Sequence, residues 1–179
     1  MDAKKSQGTA QDSPATAASV LRRSAQAIRK SAKGLGQHRA EYLALIDWAK
    51  SSDLILPFEY IEQFSFIGDG AEHRVYKDDA QQKLAIKATH ANRFGYSTEF
   101  EGWATPIEYL RRLAAQNSIF GDDLKIIGVI YSEGHVEIVT SQPWISVHKT
   151  LPNPRQDEID IYMGDFGFQA LSFDLDTPL

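Results

Sequence analysis

The sequence predicts an α+β domain: a five-stranded antiparallel sheet with one helix packed on it, preceded by a helical or disordered tail. Three observations predict it. Short runs that alternate apolar and polar residues recur between residues 64 and 88, separated by Gly- and Asp-containing turns. A capped amphipathic segment follows at 105–118, and two more apolar runs, 124–131 and 135–140, complete the series. Hairpins that bury one face need a covering helix, and this order supplies one.

Residues 1–18 are rich in Ala, Ser, Thr and Gln, carry no apolar period and read as disordered. Ser19 to Lys33 shows a weak helical pattern, with Val20, Leu21, Ala25 and Ile28 set among Arg22, Arg23, Arg29 and Lys30. Gly34 and Gly36 stop it. Residues 1–36 are therefore assigned to a basic tail. Residues 37–145 form the lobe with its leading helix, and 146–179 hold the exit from the lobe and one last helix.

The leading helix spans about Gln37 to Lys50, where Tyr42, Leu43, Leu45, Ile46 and Trp48 line a broad apolar face. Pro57 marks a break. Phe64–Gly68 and Glu72–Lys77 pair across an Asp69-Gly70 turn, and the polar run 78–82 turns the chain into a third strand, Lys83–Ala88. Residues 89–104 are irregular. Thr105-Pro106-Ile107-Glu108 then opens a helix, with Thr as N-cap, Pro at the first position and Glu closing a capping box. A Ser-Glu-Gly turn at 132–134 joins the last two strands. Prolines 143, 152 and 154 break the chain before a helix from about Arg155 to Met163.

Composition excludes several classes of function. The chain has no cysteine, so disulfides and thiolate metal sites are ruled out. Its histidines stand far apart, at 38, 73, 90, 135 and 148, without a pair at helix-facing spacing. No segment has the apolar length of a signal peptide or a membrane span, and the expected compartment is cytoplasmic. The formal charge of −5 divides into +5 over residues 1–37 and −10 over the remainder. The basic tail reads as a solvated segment, and nothing in the acidic body points to specific nucleic-acid recognition. A protein partner is left open.

Chemistry enters with the first three strands. Gly68-Asp-Gly70-Ala-Glu-His73-Arg-Val75 stands where a protein kinase has G-x-G-x-x-G-x-V, and Leu84-Ala85-Ile86-Lys87 stands where it has V-A-I-K. Phosphates need backbone N–H groups free of side-chain bulk and a fixed cation, which a glycine hairpin and a third-strand lysine provide. Taken singly, the glycines make an ordinary turn and Lys87 a strand-edge lysine. The third glycine is missing, and His73 holds its place.

The runs Gly70–Tyr76, Thr105–Leu113, Asn117–Asp122 and Val139–Trp144 resemble the kinase domain of polyvalent proteins, large proteins of phages and conjugative elements. The resemblance covers about residues 38–168. It implies the fold of a protein-kinase amino-terminal lobe, ATP binding and, for complete members, protein phosphorylation; with the opposing wall and the metal carboxylates missing, ATP would be held weakly. Lys87 would be the phosphate-pairing lysine, Val75 and Ala85 the apolar roof over adenine, and Glu108 the helix carboxylate that holds Lys87. The carbonyl of Ser141 would face adenine from the inter-lobe hinge, where Pro143 has no N–H to offer.

Phosphoryl transfer also needs a catalytic-loop base and metal-bearing residues, and no His-Arg-Asp run occurs in the chain. Asp165-Phe166-Gly167 looks like the magnesium triplet but reads as a helix end beside Gly164. The expectation is a kinase-like lobe with most of its carboxy-terminal lobe missing, not competent for catalysis alone and without Mg²⁺ of its own. Two other readings stand beside it: a non-catalytic partner-binding module, or a piece of an active kinase whose second lobe is encoded elsewhere.

Overall fold

Alternation of apolar residues builds a sheet here, and helical stripes cover it. The computed structural model describes residues 13–32, 36–80, 83–98, 102–145 and 154–168. The chain divides into two units, Met1–Trp144 and Ile145–Leu179. The first contains helices α1 (Pro14–Ser31), α2 (Gln37–Ser51) and α3 (Pro106–Phe120). Its strands are β1 (Ile55–Leu56), β2 (Ser65–Asp69), β3 (His73–Lys77), β4 (Leu84–Thr89), β5 (Lys125–Ser132) and β6 (His135–Pro143).

The sheet is open and mixed, with six strands in the order β1-β5-β6-β4-β3-β2. Neighbours from β2 to β6 pair antiparallel, whereas β1 joins β5 in parallel, Ile55 opposite Val129. The expected five antiparallel strands are thus corrected to six in a mixed sheet. Two residues carry no periodicity, so β1 has no signature in the sequence. It docks because β5 opens a place for it. A Cβ on Gly128 would lie 2.5 Å from the Leu54 carbonyl oxygen, a close approach that only glycine permits.

Each sheet face is covered. On one side Ile126, Val129, Val136 and Ile138 pack against Leu110 and Leu113 of α3, Leu45 and Trp48 of α2, and Leu21 of α1. On the other, Tyr76, Ile86, Ala88 and Val139 pack with Ile61 from a 3-10 helix, Phe58–Gln63. The leading residues also differ from the expected tail. α1 begins at Pro14, and Ala17, Leu21 and Ala25 are buried in the same core while Arg22, Arg23, Arg29 and Lys30 face outward. Alanine contributes little to an apolar count, yet its small side chain lets helices approach closely, so the stripe is stronger than its hydropathy.

α3 starts where Thr105 accepts a hydrogen bond from the Glu108 N–H at 3.2 Å and ends at Gly121 with φ 66°. The buried carboxylate of Glu41 reaches it from α2, accepting from the Ile107 N–H at 3.3 Å at the positive end of the helix dipole. Asn117 closes the other end, donating to the Leu124 carbonyl and accepting from the Leu124 N–H, each at 2.8 Å. The Asn117 bonds tie the end of α3 to the residue that leads into β5.

The second unit holds α4 (Gln156–Asp165), with no buried residue along it. Asp165-Phe166-Gly167 lies at its end: the Gly167 N–H bonds the Gly164 carbonyl at 2.9 Å, and Gly167 has φ 82°. The turn residues Gln81 and Gln82, the stop at Gly34, residues 1–12 of the tail, the exit segment 146–153 and residues 169–179 lie outside the described residues. No helix among the described residues is long and apolar enough to cross a membrane.

Candidate functional site

Register brings the sequence-marked residues together. Val75 pairs with Lys87 and Lys77 with Ala85 across β3 and β4, and Lys87 and Ala85 pair in turn with Thr140 and Gln142 of β6. Directly paired residues share a face. Val75, Ala85, Lys87, Thr140 and Gln142 therefore form one strip on the face that α3 covers. Gly68 stands opposite Val75 in β2, after a bulge, and the Gly70 N–H donates to the His73 carbonyl at 2.9 Å to close the hairpin. A Cβ on Gly68 would meet nothing within 4 Å, so the protein's own packing leaves that approach open.

Lys87 is half-buried, and no ion pair among the described residues includes it. Burial pulls its ammonium below the usual lysine range, against the opposing charges of Asp122 and Glu72. It lines a small hollow of about 90 Å³ with Glu72, His73, Tyr109, Arg112 and Thr140. α3 turns no carboxylate toward that hollow.

Glu108 is placed elsewhere. Its carboxylate accepts from the Thr98 N–H at 2.6 Å and from the hydroxyls of Ser97 and Thr98. Although burial pushes its pKa up, these bonds hold it below the usual carboxylate range. The structure does not bring Glu108 to Lys87. One turn further along α3, Arg112 sits at the hollow instead, with Nη1 3.1 Å from Glu72 Oε1 and Nη2 donating to the Phe94 carbonyl at 3.2 Å.

His73 projects toward α3, its Nε2 2.8 Å from the Tyr109 hydroxyl. Burial, with Lys87 next, lowers its pKa to about 4, so the ring is neutral near pH 7. Burial raises the Tyr109 phenol, which stays protonated. Ser141 is buried within β6, between Ile86 of β4 and Lys125 of β5, and the strand runs on to Pro143. The expected hinge residues are therefore part of the sheet, and the chain leaves it after Pro143.

Glu72, Tyr109, Arg112 and Gln142 were not marked by the sequence. Glu72 lies between the hairpin glycine and His73, and its role depends on which way the turn faces. Arg112 and Tyr109 needed the rotation of α3. Gln142 needed the register of β6.

The glycine hairpin, the lysine on the strand beside it and the helix on the same sheet face stand in the order the sequence expects of a kinase-like domain. The chain belongs to the family of serine/threonine/tyrosine kinases found in polyvalent proteins, whose model matches residues 38–173. No curated protein and no solved structure matches the chain significantly.

Proposed function

We propose that this domain binds ATP along the strip from Gln142 to Lys87, in the manner of a protein-kinase amino-terminal lobe. The observation that carries it is Lys87: a half-buried ammonium without an ion-pair partner among the described residues, one strand from the glycine hairpin. A half-buried cation with opposing charges near it but none in contact is costly unless a ligand supplies a direct partner. Val75 and Ala85 lie on the same face and give the base an apolar roof.

The residues present fit such a ligand. Among the described residues two buried side-chain polar atoms lack a hydrogen-bond partner: Arg112 Nε and Gln142 Oε1. One belongs to a side chain at the Lys87 hollow and the other to a side chain paired with Ala85. A donor at the phosphate end and an acceptor at the base end complement a phosphorylated purine that carries an exocyclic amine. Bound ATP would supply the transferable phosphoryl group, while the chain's own residues hold its two ends. The sequence contains no His-Arg-Asp run to supply an acceptor base, and the proposal is one of binding.

Affinity in the millimolar range, about −4 kcal/mol, is expected for one apolar wall and one cation. An ATP titration followed by NMR should move Gly68, Gly70, Val75 and Lys87, and Lys87→Ala should weaken binding. If those signals stay still at several millimolar ATP in a folded protein, nucleotide binding is refuted and a partner-binding lobe is the reading left.

A further inference from the structure

We infer that Glu72 is a positioning residue that latches the glycine hairpin onto α3, and that a polyphosphate ligand opens the latch by taking Arg112 from it. The inference rests on the nucleotide-binding reading above and assigns that site its second cation and its entry step.

The hairpin tip is tied down at several points. Glu72 Oε1 accepts from the Tyr96 N–H at 2.9 Å and pairs with Arg112 Nη1 at 3.1 Å. His73 bonds Tyr109 at 2.8 Å, and His90 donates through Nε2 to the Gly70 carbonyl at 2.8 Å. The bond to Tyr96 and the pair with Arg112 converge on one carboxylate. Space for them is built in: a Cβ on Gly95, whose φ is +78°, would lie 2.6 Å from Glu72 Cδ.

So docked, the hairpin leaves about 90 Å³ beside Lys87. Ligand sites for molecules of nucleotide size run to roughly 300–1,000 Å³. The hairpin must lift for a triphosphate to reach Lys87. Glu72 also occupies the electrostatic role that phosphate would take, since its charge acts on both Lys87 and Arg112. Arg112 is incompletely satisfied in the latched form, because its buried Nε has no partner. A phosphate can engage a guanidinium through two parallel bonds, which gives Arg112 more than Glu72 and the Phe94 carbonyl do.

Four full-length chains test this by ATP titration, with inorganic triphosphate as a second probe: wild type, Glu72→Gln, Arg112→Gln and the double variant. Glu72→Gln should bind both probes roughly threefold to tenfold more tightly. Arg112→Gln should weaken binding, and Glu72→Gln should bring no gain in that background. Lys87-dependent binding with no gain from Glu72→Gln overturns the latch and leaves the nucleotide reading standing. An equal gain with and without Arg112 also overturns it, by reducing the effect to net charge. No binding by any chain overturns both. Without ligand, Glu72→Ala should speed amide exchange at Tyr96 and Gly70 while Ile86 and Val139, which report the core, stay protected. Unchanged exchange at Tyr96 sinks the latch.

Discussion

His73 stands where the kinase pattern has its third glycine, and its surroundings give it a measurable consequence. Burial, then the charges of Lys87, Arg112 and His90 against that of Glu72, bring its pKa from 6.5 to about 4. The unfolded chain takes up a proton near pH 6.5, and the folded chain resists it until about pH 4. The associated stability is complete above pH 6.5 and is lost as the pH falls towards 4, on the order of 3 kcal/mol. Urea denaturation at steps through this window should show the decline, and His73→Gln should flatten it. Glu72 and Glu108 are held below their usual range, so their contribution is lost at lower pH. An unchanged slope in His73→Gln would return His73 to the solvent-exposed class.

Among elements, β1 is the least self-sufficient. It pairs with β5 over two residues, extended by the Val129 N–H donating to the Leu54 carbonyl at 2.8 Å. Gly128 admits it: a Cβ there would lie 2.5 Å from Leu54 O and 2.7 Å from Leu56 Cγ. Backbone cannot yield as a side-chain tip can. Gly128→Ala should therefore expel β1 at a cost of about 1–3 kcal/mol. Amide exchange at Val129 should become fast while the β3–β4 ladder stays protected. Retained protection at Val129 would mean that β5 has other room to give. α3 is the opposite case, held at both ends by Thr105, Glu41 and Asn117. Its rotation is what presents Arg112, rather than Glu108, to the hollow.

At the scale of the first unit, α1 decides how large the cooperative core is. Leu21 is fully buried and shares a cluster with Leu45, Leu110 and Ile138 from α2, α3 and β6. Leu21→Ala should cost about 3 kcal/mol and lower the single unfolding midpoint of the unit, read by denaturant titration. A solvated tail would give no change. The sheet order also has a functional side. β4 is central, between β3 and β6, so Lys87 is held by a strand paired on both sides while the glycine hairpin occupies the β2–β3 end. The backbone that carries Lys87 is fixed by pairing on both sides, whereas the hairpin tip is held by the side chains of Glu72, His73 and His90.

Local patterns determined much of this protein. Alternation at 64–77 and 124–140, the Thr105-Pro106 start and the Gly121 stop announce β2, β3, β5, β6 and α3, because each is encoded in adjacent residues. The order of glycine hairpin and Lys87 points to the kinase-like class, and the family match over residues 38–173 agrees with it. What depends on partners distant in the chain was decided by the tertiary structure. β1 exists because Gly128, far along the sequence, leaves it room. α1 is core because Ala17 and Leu21 find α2 and α3. The same holds at the site, where spacing marks a lysine and a carboxylate but not whether they meet. Glu108 turns to Ser97 and Thr98, and the charges acting on Lys87 come from Asp122 and from Glu72 on the hairpin. A side chain's direction is set by helix rotation and strand register together, and both are settled only when the whole core packs.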